Sequence, residues 1–303
     1  MIKSIYFPNR EFATKAELFD AIKKDEKRIK ALKGAEIILS HERGHISKTA
    51  LVLKGSEAKA LNIEDGYFYP VINTTNYLDS HNDVHIPKIW NKSISEQQGS
   101  IFYVADHSLK INDVIAWNTD VEVMTKTLNW NVVGKDFEGQ TEALIFKVKK
   151  ESICNDAAED IIEKNKPVQN SVRMQYVVFH TCINDKRPEY KTEKANWDKY
   201  YPMVANKEVA DADGYFWAVT EAKIIKEGSM VLFGSNDATP ILQTPSTEET
   251  KCTNCNSDMT GEYCSSCGTQ RKNIEPSKDT QKEAAALALR NSKIKSIINQ
   301  SQF

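Results

Sequence analysis

Apolar residues recur at every second position in the segment "SVRMQYVVF", which predicts a β-strand from Ser171 to Phe179. The expected buried face carries Val172, Met174, Tyr176 and Val178. The opposite face opens with Ser171 and continues with Arg173, Gln175 and Val177. One interpretation is an ordinary antiparallel strand with a wet outer face. The other is that Ser171 is a nucleophile, which requires a base and an orienting group from elsewhere in the chain.

Short β-rich segments separated by turn residues continue from about Tyr67 to Asn236. They are "YFYPVINTT", "SIFYVA", "VIAWNTDVEVMTKTLNWNVVG", "EALIFKVKK", "SVRMQYVVF", "YFWAVTEAKII" and "SMVLFG". A single helix, "NDAAEDIIEKN", interrupts them, and Asn155 is expected to cap its N-terminus. The pattern predicts an α+β fold whose mostly antiparallel sheet closes, or nearly closes, on itself.

Helical patterns flank this β-rich region. Thr14 and Glu17 form a capping box that predicts a helix to about Lys33, with an apolar stripe that either packs on the core or docks a partner. A Thr- and Pro-rich linker, "DATPILQTPSTEETK", follows the β-rich region. The expected organisation is an N-terminal helical segment (1–65), a main domain (66–240), a linker (241–250), a cysteine module (251–270) and a C-terminal helical tail (271–303).

Charge and composition narrow the classes of function. The chain has 40 Lys and Arg against 42 Asp and Glu, a net charge of −2 in 303 residues. This balance favours neither nucleic-acid nor membrane-surface binding. The chain has no run of eighteen apolar residues and no apolar stretch typical of a signal peptide at its start. We therefore expect a soluble cytoplasmic protein.

Four of the six cysteines form two CxxC pairs near the C-terminus. Cys252, Cys255, Cys264 and Cys267 give the spacing C-x2-C-x8-C-x2-C, which is typical of a short zinc ribbon. Four thiolates from two such pairs can meet tetrahedrally around one Zn²⁺. Because the set leaves no open ligand position, we expect a structural zinc ion.

A base for Ser171 is expected among the six histidines. His107 closes the apolar segment "SIFYVADHSLK" and should lie at the margin of a sheet. His180 is nine residues after Ser171, roughly 30 Å away along a continuous strand, and is too distant. His41 and His45 lie before the β-rich region, in "SHERGHIS". His81 and His85 lie in "LDSHNDVHIP", where loop polarity accounts for them.

Four motifs in a fixed order resemble the prohead proteases of tailed bacteriophages. Asp79, Asp83 and Pro87 match a D-x-x-x-D-x-(hydrophobic)-x-P segment, and they are followed by a histidine at a strand end, His107. A serine that opens a strand comes next, at Ser171. An E-x-S-x-V strand leading into an Asn turn completes the order, with Glu227, Ser229, Val231 and Asn236. The chain departs from the pattern at Gly234-Ser235-Asn236, where a Pro-Ala-Asn turn is common, and it carries an insertion before Glu227.

The resemblance covers roughly Tyr67 to Thr239 and implies an assemblin-like β-barrel core ringed by helices. It also implies a serine endopeptidase with Ser171 as nucleophile and His107 as base. Glu227 is favoured as the orienting residue, with Glu221 in reserve. Arg173 is either a solvated strand residue or a support for the oxyanion. Asp106 points away from His107 in an extended segment, and nothing near Cys182 suggests an activated thiol.

The expected substrates are the phage major capsid protein, the scaffold and the chain itself, cut inside the immature head in the host cytoplasm. Neither a nucleic-acid nor a membrane partner is expected, and self-association is considered by analogy with the family. The rival hypothesis is a catalytically inactive head-assembly or scaffold-type protein that uses the same fold, with the zinc ribbon as a docking module.

Overall fold

The computed structural model describes residues 1–35, 51–52 and 62–243, together with positions 254, 255, 257, 266 and 267. The chain divides into one compact unit, Met1–Thr244, and a second, Pro245–Phe303. The predicted C-terminal helical tail and two of the four zinc-ribbon cysteines, Cys252 and Cys264, lie outside the described residues. The fold set out below is that of the first unit.

Strands and helices alternate irregularly along this unit. The strands are β1 Ile2–Lys3, β2 Glu11–Phe12, β3 Leu51–Val52, β4 Tyr67–Thr74, β5 Asp83–His85, β6 Phe102–Ala105, β7 Val114–Ala116, β8 Val121–Asn129, β9 Gln140–Lys149, β10 Gln169–Ile183, β11 Tyr215–Val231 and β12 Ile241–Gln243. The α-helices are α1 Lys15–Lys24, α2 Glu26–Gly34, α3 Asn91–Gln97, α4 Asp156–Glu163, α5 Lys191–Tyr200 and α6 Lys207–Asp213.

Two five-stranded sheets form the framework. Sheet I has the order β10-β11-β6-β7, and β5 also pairs with β11. Sheet II has the order β3-β12-β4-β9-β8. Most neighbouring strands are antiparallel, but β11 runs parallel to both β5 and β6, and β12 runs parallel to β3. The predicted α+β class with largely antiparallel strands is therefore confirmed.

The largest apolar cluster joins the two sheets. It contains buried residues of both sheets. Sheet II contributes Phe68, Ile72, Leu144 and Phe146, among others. Sheet I contributes Tyr103, Val172, Met174 and Ile224, among others. Gly228 of β11 packs directly against β9, since a Cβ at this position would be 2.6 Å from the ring of Phe146. Only glycine fits this position without displacing the ring.

The predicted barrel is wrong for the described sheets, neither of which closes on itself. Sheet I has β10 and β7 at its ends, and sheet II has β3 and β8. Hydrogen bonds link the sheets at one corner, where the backbone N–H of Asn170 donates to the Thr239 carbonyl at 3.2 Å and its Nδ2 donates to the same oxygen at 2.9 Å. Period-two alternation is the same in an open sandwich and in a closed barrel, so the pattern could not distinguish them.

The strand that opens with Ser171 is longer than predicted and more irregular. β10 pairs antiparallel with β11, which is one continuous strand where the sequence predicted two. Register shifts on both sides of Val178 leave that residue 40% exposed, although Val172, Met174 and Tyr176 are buried as predicted. A bulge reverses which face a side chain takes, and simple alternation does not foresee it.

The helix predictions are confirmed at their N-terminal caps. Asn155 Oδ1 accepts from the Ala158 N–H at 3.0 Å, and Thr14 Oγ1 accepts from the Glu17 N–H at 3.2 Å. The N-terminal helix breaks at Asp25 into α1 and α2 instead of running on to Lys33. Its apolar stripe packs against Tyr215 and Trp217 of β11, among other residues, so core packing is the alternative that the structure supports.

Candidate functional site

His107 lies two residues beyond the end of β6, at the margin of sheet I as the sequence predicted. Asp106 and His107 both adopt left-handed backbone conformations, with φ of 49° and 56°. Two successive non-glycine residues in this region cost roughly 1–2 kcal/mol each, so surrounding contacts must hold them. The chain then continues to β7, which pairs antiparallel with β6, and the side chain of His107 is 15% exposed.

Glu227 orients this imidazole. Its Oε1 lies 2.8 Å from His107 Nδ1, and the carboxylate is fully buried. The position of Glu227 depends on a bulge, because a single residue of β10, Arg173, faces three residues of β11, 225–227, and Lys226 has a φ of 66°. A carboxylate at Nδ1 selects the tautomer whose Nε2 is free to accept a proton. This is the dyad that the sequence favoured.

Arg173 has a role that neither sequence alternative included. Its Nε donates to Glu227 Oε1 at 3.1 Å, and one Nη donates to the carbonyl oxygen of His107 at 2.5 Å. The guanidinium therefore neutralises a buried carboxylate and also binds the main chain of the histidine. Glu227 Oε2 is buried and has no hydrogen-bond partner among the described residues, so the whole pairing falls on the other oxygen.

Ser171 lies on the same face of sheet I as this cluster. Its cross-strand partner is Ser229, and Glu227 lies two residues before Ser229 on the same strand. Directly opposed residues place their Cβ atoms about 4.5–5.5 Å apart on one face. Ser229 Oγ in turn accepts from the backbone N–H of His107 at 2.8 Å and donates to the Val104 carbonyl at 3.1 Å. Ser229 belongs to the E-x-S-x-V motif, and its contact with His107 was not predicted from the sequence.

The hydroxyl of Ser171 makes no hydrogen bond within the described part of the chain, to His107 or to any other group. The structure thus forms the His107–Glu227 pair and sets Ser171 beside it, without closing the serine–histidine contact. Nucleophile–base contacts are often long before substrate binds and tighten in the reacting complex. Ser171 itself is half-buried.

The reserve residue lies elsewhere. Glu221 pairs with Lys92 at 3.4 Å and is about one-third exposed. It precedes Glu227 by six residues on β11, roughly 20 Å along an extended strand. Glu221 is therefore not part of the cluster around His107.

The two acidic residues of the D-x-x-x-D segment are structural. Asp79 Oδ1 accepts the backbone N–H groups of His81 and Asp83, both at 2.9 Å. Asp83 is fully buried and forms an ion pair of 2.5 Å with Lys33 of α2. Tyr176 donates to the other oxygen of Asp83 at 2.7 Å. No local pattern marks Lys33 as the partner of Asp83, because the two residues are fifty positions apart.

Among the described residues, neither the other histidines nor Cys182 are candidates for the base or the nucleophile, and His41 and His45 lie outside the described residues. His81 and His85 are buried, contrary to the prediction that loop polarity accounts for them, and burial lowers the pKa of His85 to about 4. His180 stacks on Tyr200 at a ring distance of 5.6 Å, far along β10 from Ser171. Burial raises the pKa of the Cys182 thiol, so this residue stays a thiol at neutral pH.

The predicted zinc site is only partly within the described chain. Cys255 and Cys267 are described and exposed, while Cys252 and Cys264 lie outside the described residues. Within the described part, no three His, Cys, Asp or Glu side chains come together as a metal-binding group.

Comparisons with known proteins add no relative. No protein-family model matches the chain, and searches of curated proteins and of solved structures find no significant match. Among the described helices, none is long and apolar enough to cross a bilayer.

Proposed function

We propose that this protein is a serine endopeptidase of the phage prohead type, with Ser171 as nucleophile, His107 as general base and Glu227 as orienting residue. The observation that carries the proposal is the buried 2.8 Å contact between His107 Nδ1 and Glu227 on the sheet face that also carries Ser171. A histidine oriented at one ring nitrogen by a buried carboxylate, beside a serine, is the arrangement that acyl transfer requires.

The chemistry proceeds in two stages. His107 Nε2 takes the proton from Ser171 Oγ while that oxygen attacks the carbonyl carbon of the scissile peptide bond. The imidazolium then gives the proton to the leaving amine, and the C–N bond breaks to leave an acyl-enzyme. In the second stage His107 takes a proton from water as the water oxygen attacks the ester carbon. The bond from that carbon to Ser171 Oγ then breaks, the imidazolium returns the proton to Ser171 Oγ, and the carboxylate product leaves. Glu227 stabilises the imidazolium throughout, and Arg173 balances the buried negative charge.

Substrate identity rests on the order of motifs and not on the geometry of the site. The order from Asp79 to Asn236 resembles prohead proteases, whose substrates are capsid and scaffold proteins during head maturation. The proposed place of action is the immature phage head within the bacterial host. The described sheets differ from the expected assemblin-like barrel, because neither five-stranded sheet closes on itself.

The experiment is mass spectrometry of cleavage products. The wild-type chain and Ser171→Ala are each produced together with the capsid and scaffold proteins of the same virus. The wild type is expected to yield new termini in these proteins, and the variant none. Identical processing by both would refute the endopeptidase and favour the inactive head-assembly protein with the same fold.

The zinc ribbon is a separate part of the proposal. We expect one Zn²⁺ per chain, bound by Cys252, Cys255, Cys264 and Cys267, because this segment has too few apolar residues to fold without metal. Its proposed role is to bring the enzyme to the assembling head. Truncation before Lys251 should remove the zinc and reduce incorporation into proheads while Ser171 stays reactive. Normal incorporation of the truncated chain would exclude the targeting role.

A further inference from the structure

The main chain of His107 is bound on both sides by side chains from other strands. Ser229 Oγ, on β11, accepts its N–H at 2.8 Å, and Arg173, on β10, donates to its carbonyl oxygen at 2.5 Å. Glu227 binds the ring nitrogen at the same time. The backbone N–H, the backbone carbonyl and the imidazole are thus each held by a different side chain.

We propose that Ser229 and Arg173 are positioning residues that hold the main chain of His107 in register with Ser171. This inference rests on the proposed function and extends it, because neither residue contacts the reacting atoms. The two hydrogen bonds are called the backbone clamp below.

The backbone conformation of the turn supports the proposed clamp. Asp106 and His107 both have positive φ, and left-handed backbone at two successive non-glycine residues persists only where neighbouring groups determine it. The turn has two further main-chain hydrogen bonds, both of 2.9 Å: the Asp106 N–H donates to the Met230 carbonyl, and the Ser108 N–H donates to the Ala105 carbonyl. The clamp supplies the two bonds that fix His107 itself.

The pairing register of β10 and β11 also supports the clamp. Ser229 is the direct cross-strand partner of Ser171, so the side chain that binds the His107 N–H comes from the residue opposite the nucleophile. A shift of the turn relative to Ser229 would move the imidazole relative to Ser171 by the same amount. Catalytic groups lose rate steeply when displaced by as little as 1 Å.

The burial of the Ser229 side chain supports the clamp as well. Ser229 is fully buried, and its hydroxyl also donates to the Val104 carbonyl at 3.1 Å. The hydroxyl therefore bridges β6 to the turn that follows it. Its removal would leave the His107 N–H without its acceptor, which costs about 1–3 kcal/mol for a buried group.

Ser93 provides a matched control. It is also a buried serine, and its Oγ accepts a backbone N–H at the same distance, 2.8 Å, from Ile224 of β11. Ser93 lies on α3 and does not contact His107. Ser93→Ala and Ser229→Ala should therefore lower stability by similar amounts, while only the second loosens the turn.

The test measures fluorophosphonate labelling of Ser171 as a rate constant of inactivation and a separate binding constant for the probe. Ser229→Ala is expected to lower the rate constant about tenfold, which corresponds to about 1.4 kcal/mol of barrier, with the binding constant unchanged. Ser93→Ala should keep the wild-type rate constant. Arg173→Lys should also slow labelling, because an ammonium lacks the fork that reaches both Glu227 and the His107 carbonyl.

Hydrogen exchange makes the test independent of catalysis. The His107 amide should exchange at least tenfold faster in Ser229→Ala than in wild type or Ser93→Ala. Unchanged exchange would show that the clamp does not hold the turn, and faster exchange with an unchanged labelling rate would show that the clamp does not position the base. A wild-type chain unlabelled at Ser171 would refute the proposed function, and exchange alone would then decide whether the clamp exists.

Discussion

Replacing Glu227 by Gln removes the charge that faces His107 and preserves the shape of the side chain. The amide oxygen of Gln can still accept from His107 Nδ1 and from Arg173 Nε, since both now bind the same oxygen, Oε1. The tautomer of the imidazole is therefore retained, and any change in reaction rate reports the loss of the negative charge alone. The new Nε2 would occupy the buried position of Oε2, which has no partner among the described residues.

The magnitude follows from Coulomb's law. Two unit charges about 4 Å apart interact by about 4 kcal/mol at an effective dielectric constant of 20. This is an upper bound for the loss of imidazolium stabilisation, because Arg173 already offsets part of the Glu227 charge. We expect a loss of about 3 kcal/mol in the transition state, or a rate of acylation roughly 10²-fold lower.

The assay is single-turnover phosphonylation of Ser171 by a fluorophosphonate, which tests the same attack by the serine oxygen as acylation does. The adduct is followed by intact mass, and unfolding midpoints are measured in parallel. Glu221→Gln is the control, because Glu221 is partly exposed and its ion pair among the described residues is with Lys92. This variant should react with the probe within about twofold of the wild-type rate, in line with the small value of surface ion pairs. Equal rates for the two variants would refute the dyad, and the reverse ranking would transfer the orienting role to Glu221.

Two predictions concern the buried charges behind the site. Lys33→Met should destabilise the fold by about 3–5 kcal/mol in urea unfolding, because Asp83 would be left buried and without its cation; a loss below about 1 kcal/mol would contradict the buried pair. Burial and the neighbouring Asp83 raise the pKa of Asp79 to about 7, against a partial offset from Lys33. A carboxyl group whose pKa is higher in the folded state than in the unfolded state stabilises the fold at low pH. This contribution is lost as pH rises from about 4 to 7. The stability of Asp79→Asn relative to wild type should therefore increase over that range, and a constant difference would contradict the raised pKa.

The sequence predicted the parts of this structure that local rules control. The caps at Thr14 and Asn155 follow from side-chain hydrogen bonds within one turn of helix. The placement of His107 at a sheet margin follows from the end of an apolar segment. Glu227 was favoured over Glu221 because of an ordered motif, and the structure brings Glu227 to His107.

What the sequence missed depends on contacts between distant segments. The turn at Asp106 and His107 and the bulge before Gly228 both place residues other than glycine in the left-handed region of φ. No glycine therefore marks either feature in the sequence. The pairing of Lys33 with Asp83 spans fifty residues and leaves no local pattern. A barrel was expected because alternation reports only which face is buried, and strand order decides closure.

The most direct test of the account is the site of covalent labelling by a fluorophosphonate. The full-length wild-type chain is treated with the probe, digested, and mapped by mass spectrometry, with Ser171→Ala and Glu227→Gln treated in the same way. The account predicts one adduct, on Ser171, that is absent from the first variant and forms roughly 10²-fold more slowly in the second. Labelling of another serine, or equal labelling of all three chains, would contradict it.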